Sequence, residues 1–353
     1  MSQESLVETV TLGEAKTLIQ ALAHRHSILL LSPPGVGKSD TVMQAAEAAG
    51  LPCRSLLGTQ IAPEDVSGVP RIIGERTVFC PPRVLLPETP ERFCLFLDEM
   101  PAASPDVQKA FYSLLLERRI GEHPLPRGSW VVAAGNRAED RALVRSLSSA
   151  LINRVIILNV RIDVKEWLIW ARQAGVRAEI LAFITFMPQA LMRPVPAEPV
   201  PFSTPRSWAT LSDAFELAEN AGLLTRGTRR ALAFGRLTSA DASIFCAMAE
   251  ERIQNLEPMR EYLMDPGKLP SEDTARWFVL SQLRAAVAGG TLERDISPLP
   301  DGDTAASLTN RFLRALPEEH RMALLVGLVQ YWGALGADEA MLETLRNVTG
   351  LDS

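Results

Sequence analysis

Ser32-Pro-Pro-Gly-Val-Gly-Lys-Ser39 is the stretch whose reading decides the fold. An apolar run, Ser27–Leu31, stands directly before it, and a helical pattern rich in Ala and Met, Lys38–Ala49, follows. A chain turning from strand to helix here exposes consecutive backbone N–H groups around a small concavity. Gly35 and Gly37 let that backbone approach an anion without a Cβ in the way. Lys38 reaches β- and γ-phosphates, and the Ser39 hydroxyl suits Mg2+. The helix contributes its positive N-terminal end. Ser32 stands where the G-x-x-x-x-G-K-[ST] pattern has its first glycine. That departure touches the start of the loop and not the expected phosphate contacts, Pro34, Gly35, Val36, Gly37, Lys38, Ser39 and Asp40.

Working outward, the first half of the chain alternates short apolar runs with helical patterns, as an α/β layer structure does. Strands are expected at Ser27–Leu31, Pro52–Leu57, Phe93–Leu97, Trp130–Ala134 and Val155–Val160. Most are near-continuous runs of Leu, Ile, Val and Phe, which parallel strands buried on both faces require. Pro105–Glu117 reads as a helix with Val107, Ala110, Phe111, Leu114 and Leu115 on one stripe, capped by Ser104 with Pro105 at its first position. Phe93–Leu97 runs into Asp98 and Glu99, two carboxylates at the C-terminal edge of a buried strand, where open α/β sheets bind ligands. Asp98 suits the Mg2+ shell, and Glu99 suits the orientation and activation of a water for in-line attack.

Beyond Val160 strand signals nearly stop. Val164–Ala174 and Arg177–Met187 read as amphipathic helices. The proline-dense Pro188–Pro205 reads as an extended connector. Helical patterns resume at Ser207–Ala221, with breaks around Asp265–Pro270 and Gly289–Thr304. Two segments interrupt the α/β part. Val69-Pro-Arg-Ile-Ile73, Gly74-Glu75 and Thr77-Val-Phe-Cys80 read as a β-hairpin within Gly58–Pro87, and Ile120–Ser129 reads as a second hairpin or loop.

Composition sets the remaining bounds. The 353 residues, 47% hydrophobic and 22% charged, are ordinary globular composition for two or three domains. A formal net charge of −6 provides no global positive field for nucleic acid or anionic membrane. The four cysteines are scattered without a C-x-x-C pair, so a reduced cytosolic set is expected rather than a disulfide framework or a zinc site. The polar, acidic first ten residues do not read as a secretory signal, and no apolar stretch approaches a membrane span. The expectation is a soluble cytoplasmic protein. His24, His26, His123 and His320 form no H-E-x-x-H, and no G-x-S-x-G is present. His24 and His26 are expected at the surface or near the base of a nucleotide, and Trp277, Phe278, Tyr331 and Trp332 as helical core.

With these motifs placed, the segment from about Leu12 to Ala221 resembles the AAA+ family. Trp130-Val-Val-Ala-Ala-Gly-Asn136 is similar to its sensor strand, so the resemblance gives Asn136 the part of positioning the attacking water. Leu147-Ser-Ser-Ala-Leu-Ile-Asn-Arg154 is similar to the A-L-x-x-R segment and makes Arg154 the candidate finger toward a neighbouring subunit's γ-phosphate, with Arg145 and then Arg141 as competitors. Thr204-Pro-Arg206-Ser-Trp208 looks like the lid's sensor position, implying Arg206 as a γ-phosphate contact in its own subunit. The paired hairpins resemble the helix-2-insert clade. Gly58–Gly68 and Leu95–Met100 are closest to its MoxR-like branch.

The resemblance implies an α/β P-loop NTPase (AAA+) core with a parallel sheet over residues 1–160, a helical lid over 161–250 and further C-terminal helices over 251–353. It further implies ATP and Mg2+ as ligands, a homo-oligomeric ring, usually a hexamer, and a protein client gripped by the hairpins. A partner with a von Willebrand factor A domain is common in the branch. A nucleic-acid translocase or restriction-type motor is the alternative. The acidic balance counts against it and the hairpin arginines Arg71 and Arg76 count weakly for it.

Overall fold

The structure is a computed structural model that describes residues 8–83, 85–86, 91–137, 152–251, 253 and 256–325. It divides into two compact units. The first holds Met1–Trp167 with Pro194–Val200 and Thr204–Arg206, and the second holds Leu168–Arg193, Pro201–Ser203 and Ser207–Ser353.

The first unit is built on a six-stranded sheet. Its strands are β1 (Thr9–Val10), β2 (Ile28–Leu31), β3 (Cys53–Leu57), β6 (Cys94–Asp98), β9 (Trp130–Gly135) and β10 (Ile156–Val160), in the spatial order β1-β10-β2-β9-β6-β3. All pairings are parallel. The period-two pleat explains why apolar runs were needed. Leu29, Leu95, Leu97, Val131 and Ala133 pack on one face with Val107, Phe111 and Leu114 of the helix Pro105–Glu117. Ile28, Leu30, Phe96, Val132 and Ala134 pack on the other with Ile19 of α1 (Leu12–Leu22) and Val42 of α2 (Lys38–Ala48). The five expected strands all form, with ends shifted by one residue. The edge strand β1 carries no sequence signal, since two residues show no period.

Helix α1 begins in a capping box between Thr11 and Glu14. The helix Pro105–Glu117 starts with the Ser104 hydroxyl accepting from the Val107 N–H, as expected. It ends at Arg118, whose left-handed backbone (φ 55°) turns the chain into the second hairpin. The Arg118 guanidinium donates to the carbonyls of Ala23 and Ser129, fastening that hairpin's base to the sheet. The first hairpin pairs β4 (Val69–Ile73) with β5 (Arg76–Cys80). The second is shorter than Ile120–Ser129 and begins one residue earlier: β7 (Arg119–Ile120) pairs with β8 (His123–Pro124).

The second unit is helical among its described residues. Its elements include Ala178–Phe186, most of Pro205–Asn220, Arg226–Phe234, Ser239–Glu250, Asp273–Ala288 and Ala305–Ala315. Its centre is aromatic: Phe183, Trp208 and Phe245 lie with ring centroids 5.2–5.5 Å apart, edge-on or tilted. Two expectations are corrected here. The stretch 188–205 is not extended throughout, because Pro188–Leu191 makes a 3₁₀ turn. Trp277 is 39% exposed rather than core, and leans on the buried His320 with ring centroids 4.8 Å apart. Tyr331 and Trp332 lie outside the described residues. Among the described residues no helix is long and apolar enough to cross a membrane.

Candidate functional site

The carboxyl ends of β2, β9 and β6 lie side by side, and each delivers polar residues to one place. Helix α2 starts directly after the glycine turn, with no side-chain hydrogen bond at its N-cap, Gly37. The N-terminal end of a helix, with its N–H groups pointing along the axis, is the kind of place that binds anions. Gly35 and Gly37 sit at φ 76° and 114°, a region that favours glycine. Val36 between them is buried in the α1/α2 core and anchors the turn. Pro34 is half-buried, and Asp40 stands exposed in the first turn of α2.

Lys38 is buried, and its ammonium donates to the Ser32 carbonyl (3.2 Å), the Ser32 hydroxyl (2.9 Å), the Pro33 carbonyl (3.1 Å) and Asn136 Oδ1 (3.1 Å). Ser32, the departure from the glycine pattern, thus bonds the loop lysine. The Ser39 hydroxyl donates to Asp98 Oδ2 at 2.7 Å, joining residues 59 positions apart in sequence. A hydroxyl beside a carboxylate at the head of a helix is an oxygen set suited to a hard cation such as Mg2+. Asp98 Oδ1 accepts the Glu99 N–H at 2.9 Å.

Glu99 is exposed and has a left-handed backbone, φ 51°. Such a conformation costs a non-glycine residue about 1–3 kcal/mol and concentrates at functional sites. Its Oε2 accepts from the Thr59 hydroxyl at 2.8 Å. Asn136 follows β9, whose last residue, Gly135, lies so close to Pro101 that a Cβ there would stand 2.3 Å from the proline Cδ. That close approach sets the end of β9 against the turn after Glu99.

Thr204 and Arg206 also reach this place. The Arg206 N–H donates to the Gly35 carbonyl at 3.0 Å, and a Cβ on Gly35 would stand 2.6 Å from Thr204 Oγ1. The Arg206 side chain is exposed.

Arg154 is placed differently. It is exposed in the turn before β10. Because β10 runs parallel to β2, that turn lies at the amino edge of the sheet, opposite Ser39 and Asp98. The structure therefore does not bring Arg154 to the place where Ser39 and Asp98 meet. Arg141 and Arg145 lie outside the described residues. His24 and His26 are exposed.

The two hairpins adjoin each other. His123 Nε2 lies 3.1 Å from the Phe79 carbonyl oxygen, and Gly121 leaves room for only 2.8 Å between a Cβ and the Ser67 carbonyl. The first hairpin exposes Val69, Ile72, Ile73 and Phe79 to 59%, 78%, 56% and 37%.

Three positions that the structure brings to this place went unread in the sequence. Thr59 sits in a polar loop with no motif around it, Gly135 looks like any turn glycine, and Thr204 preceded the arginine that drew notice. A threonine directly before Pro205-Arg206 was the one available signal.

The fold is that of a P-loop NTPase core of the AAA+ type, a parallel sheet with Lys38, Ser39, Asp98 and Asn136 gathered at its carboxyl edge. Residues 27–155 match the AAA domain (dynein-related subfamily) family model. Among curated proteins, none matches the chain. Solved structures similar to it include the Thermotoga maritima RuvB Holliday junction branch migration motor, at 18% identity and TM-score 0.40 over 78% of this chain and 80% of that one. A putative ATPase from Cytophaga hutchinsonii is similar at 14% identity and TM-score 0.32, over 97% and 90% of the respective chains. NtrX from Brucella abortus is similar at 14% identity and TM-score 0.39, over 97% of this chain and 69% of that one.

Proposed function

We propose that the chain hydrolyses ATP as a subunit of a homo-oligomeric ring, a hexamer by resemblance, and uses the cycle to remodel a protein client. The observation that carries the reading is the Ser39–Asp98 hydrogen bond beside Lys38 and Asn136 at the carboxyl edge of the sheet. In this reading the N–H groups from Gly35 to Ser39, with Pro34, Val36 and Asp40 around them, cradle the phosphates, and Lys38 exchanges its loop oxygens for phosphate oxygens. Ser39 and Asp98 would hold Mg2+, which, when bound, would neutralise charge on the phosphate oxygens. Glu99 orients the attacking water and takes its proton, with Thr59 fixing its carboxylate. Asn136 aligns the water. Arg206 supplies positive charge in its own subunit, and Arg154 supplies a planar, permanently charged fork to the neighbour.

A protein client, rather than nucleic acid, is favoured by the apolar first hairpin and the net charge of −6. The MoxR-like resemblance of residues 58–68 and 95–100 adds a von Willebrand factor A domain partner and a cytoplasmic setting. The test is a pull-down with the Glu99→Gln form in ATP, alongside phosphate-release assays of the native chain. A trapped ring with bound protein supports the reading. ATPase stimulated by DNA or RNA in a salt-sensitive way supports the nucleic-acid motor instead. No nucleotide binding at all removes both.

A further inference from the structure

Two cysteines that the nucleotide chemistry leaves unused face each other at the amino ends of β3 and β6. The parallel register pairs Cys53 with Cys94 directly. Neighbouring strands run about 4.7–4.9 Å apart, within the roughly 4.4–6.8 Å range of Cα separations that a disulfide spans. Both residues belong to the same face of the sheet, packed toward the α1/α2 cluster. Their exposure differs: Cys53 is half-buried and reachable, whereas Cys94 is fully buried.

We propose that Cys53 and Cys94 are a reactive thiol pair that a small-molecule disulfide, such as oxidised glutathione, closes into a cross-strand bridge. Cys53 is the attacking thiol and Cys94 the resolving one. The hydrogen bond from the Cys94 thiol holds Cys53 below the usual thiol range, against burial that pushes it up. The same bond, then burial, then the neighbouring Cys53 charge push Cys94 well above it. An accessible thiol with raised thiolate character beside a buried partner is the arrangement that exchange chemistry requires.

The steps balance. The Cys53 thiolate attacks one sulfur of oxidised glutathione, forming a mixed disulfide and releasing one glutathione thiolate. Cys94 then attacks the Cys53 sulfur, its proton passing to the second glutathione sulfur as that thiolate departs. Two protein thiols are oxidised, and one glutathione disulfide is reduced to two thiols. The pair sits at the amino edge of the strands, whereas Asp98 ends β6 at the opposite edge. Bridging is therefore separable from phosphate binding.

The experiment uses the full chain carrying Cys80→Ser, which removes the exposed hairpin thiol. After incubation with oxidised glutathione under native conditions, intact mass and peptide mapping read the product. The expected result is loss of two hydrogens, a Cys53–Cys94 linked peptide and no retained glutathione. Adding Cys94→Ser should leave glutathione stably attached to Cys53. Phenylarsine oxide, which needs two close thiols, should protect Cys53 and Cys94 of the Cys80→Ser chain from alkylation without any substitution at either. Retained glutathione on Cys53 while Cys94 is present, absence of reaction, or bridging only after denaturation overturns the proposal.

Discussion

The edge of the sheet and the interior of the helical unit each hold a dense polar network, but the two are built to opposite ends. In the helical unit, Asp241 is 0% exposed and its carboxylate accepts from Arg193 Nε (3.0 Å), the Ser203 hydroxyl (2.6 Å) and the Thr238 hydroxyl (2.7 Å). Arg193 also ties its own N–H to the Ser203 carbonyl at 2.9 Å, closing the proline-rich loop on itself. Asp241 and Ser203 are sealed from solvent, Arg193 and Thr238 are half-buried around them, and none of the four has a left-handed backbone. At the sheet edge, Ser39 and Asp98 are half-buried, Glu99 is exposed, and Glu99 bears a left-handed backbone. A saturated, buried network holds a loop in place. A network whose oxygens are bonded yet open to exchange, beside a strained residue, is arranged for a ligand.

The contrast breaks most sharply at Glu99 and Asp241. Glu99→Gln removes a proton acceptor, for which general-base catalysis supplies about 10²–10⁴ in rate. Phosphate release should fall by that order, while nucleotide binding and the urea midpoint stay unchanged. Full turnover by the variant removes Glu99 from the chemistry. Asp241→Ala should do the reverse. It leaves the partly buried Arg193 without its counter-charge, a loss of about 3–5 kcal/mol in buried pairs. Chemical denaturation of the helical unit should report it, with nucleotide affinity at 10 °C, where the unit remains folded, held near the native value.

A smaller effect sharpens the boundary between holding and reacting. Thr59→Val deletes one hydrogen bond to Glu99 and keeps the shape. A bond of this kind contributes about 0.5–1.5 kcal/mol, so turnover should fall roughly 2- to 12-fold at about 1.4 kcal/mol per decade. Binding should not change. A loss as large as that of Glu99→Gln would mean that Thr59 does more than position the carboxylate.

The parallel core was legible because strands buried on both faces leave unbroken apolar runs, and Phe93–Leu97 could hardly be anything else. The phosphate loop was legible for a different reason: glycine, lysine and serine at that spacing answer to backbone geometry, which is local in sequence. What escaped was contact at a distance. Nothing near Thr59 announces Glu99, and Arg193 and Asp241 are 48 residues apart. Cys53 and Cys94 became a pair only once β3 was known to lie in register beside β6. Trp277 shows the limit of period alone: a helical stripe tells which residues share a face, not whether that face is covered.

The mildest test lies in a second network of the helical unit. Glu179 accepts from Arg177 Nε at 2.7 Å and Arg229 Nη1 at 3.2 Å. Burial pushes its carboxyl up, but hydrogen bonds from Arg177, its own backbone and Arg229, with the Arg177 charge, together hold it below the usual range. A carboxylate depressed in the folded state stabilises above its unfolded pKa of about 4.3, and that stabilisation disappears as pH falls through the folded value. Because the side chains of this cluster keep partial contact with solvent, screening limits the effect to about 1 kcal/mol. Glu179→Gln should therefore lower the urea midpoint at pH 7, and the gap to the native chain should close as the pH is taken down through the carboxylate range. A gap that stays constant with pH would show that shape and hydrogen bonding, rather than charge, give Glu179 its place.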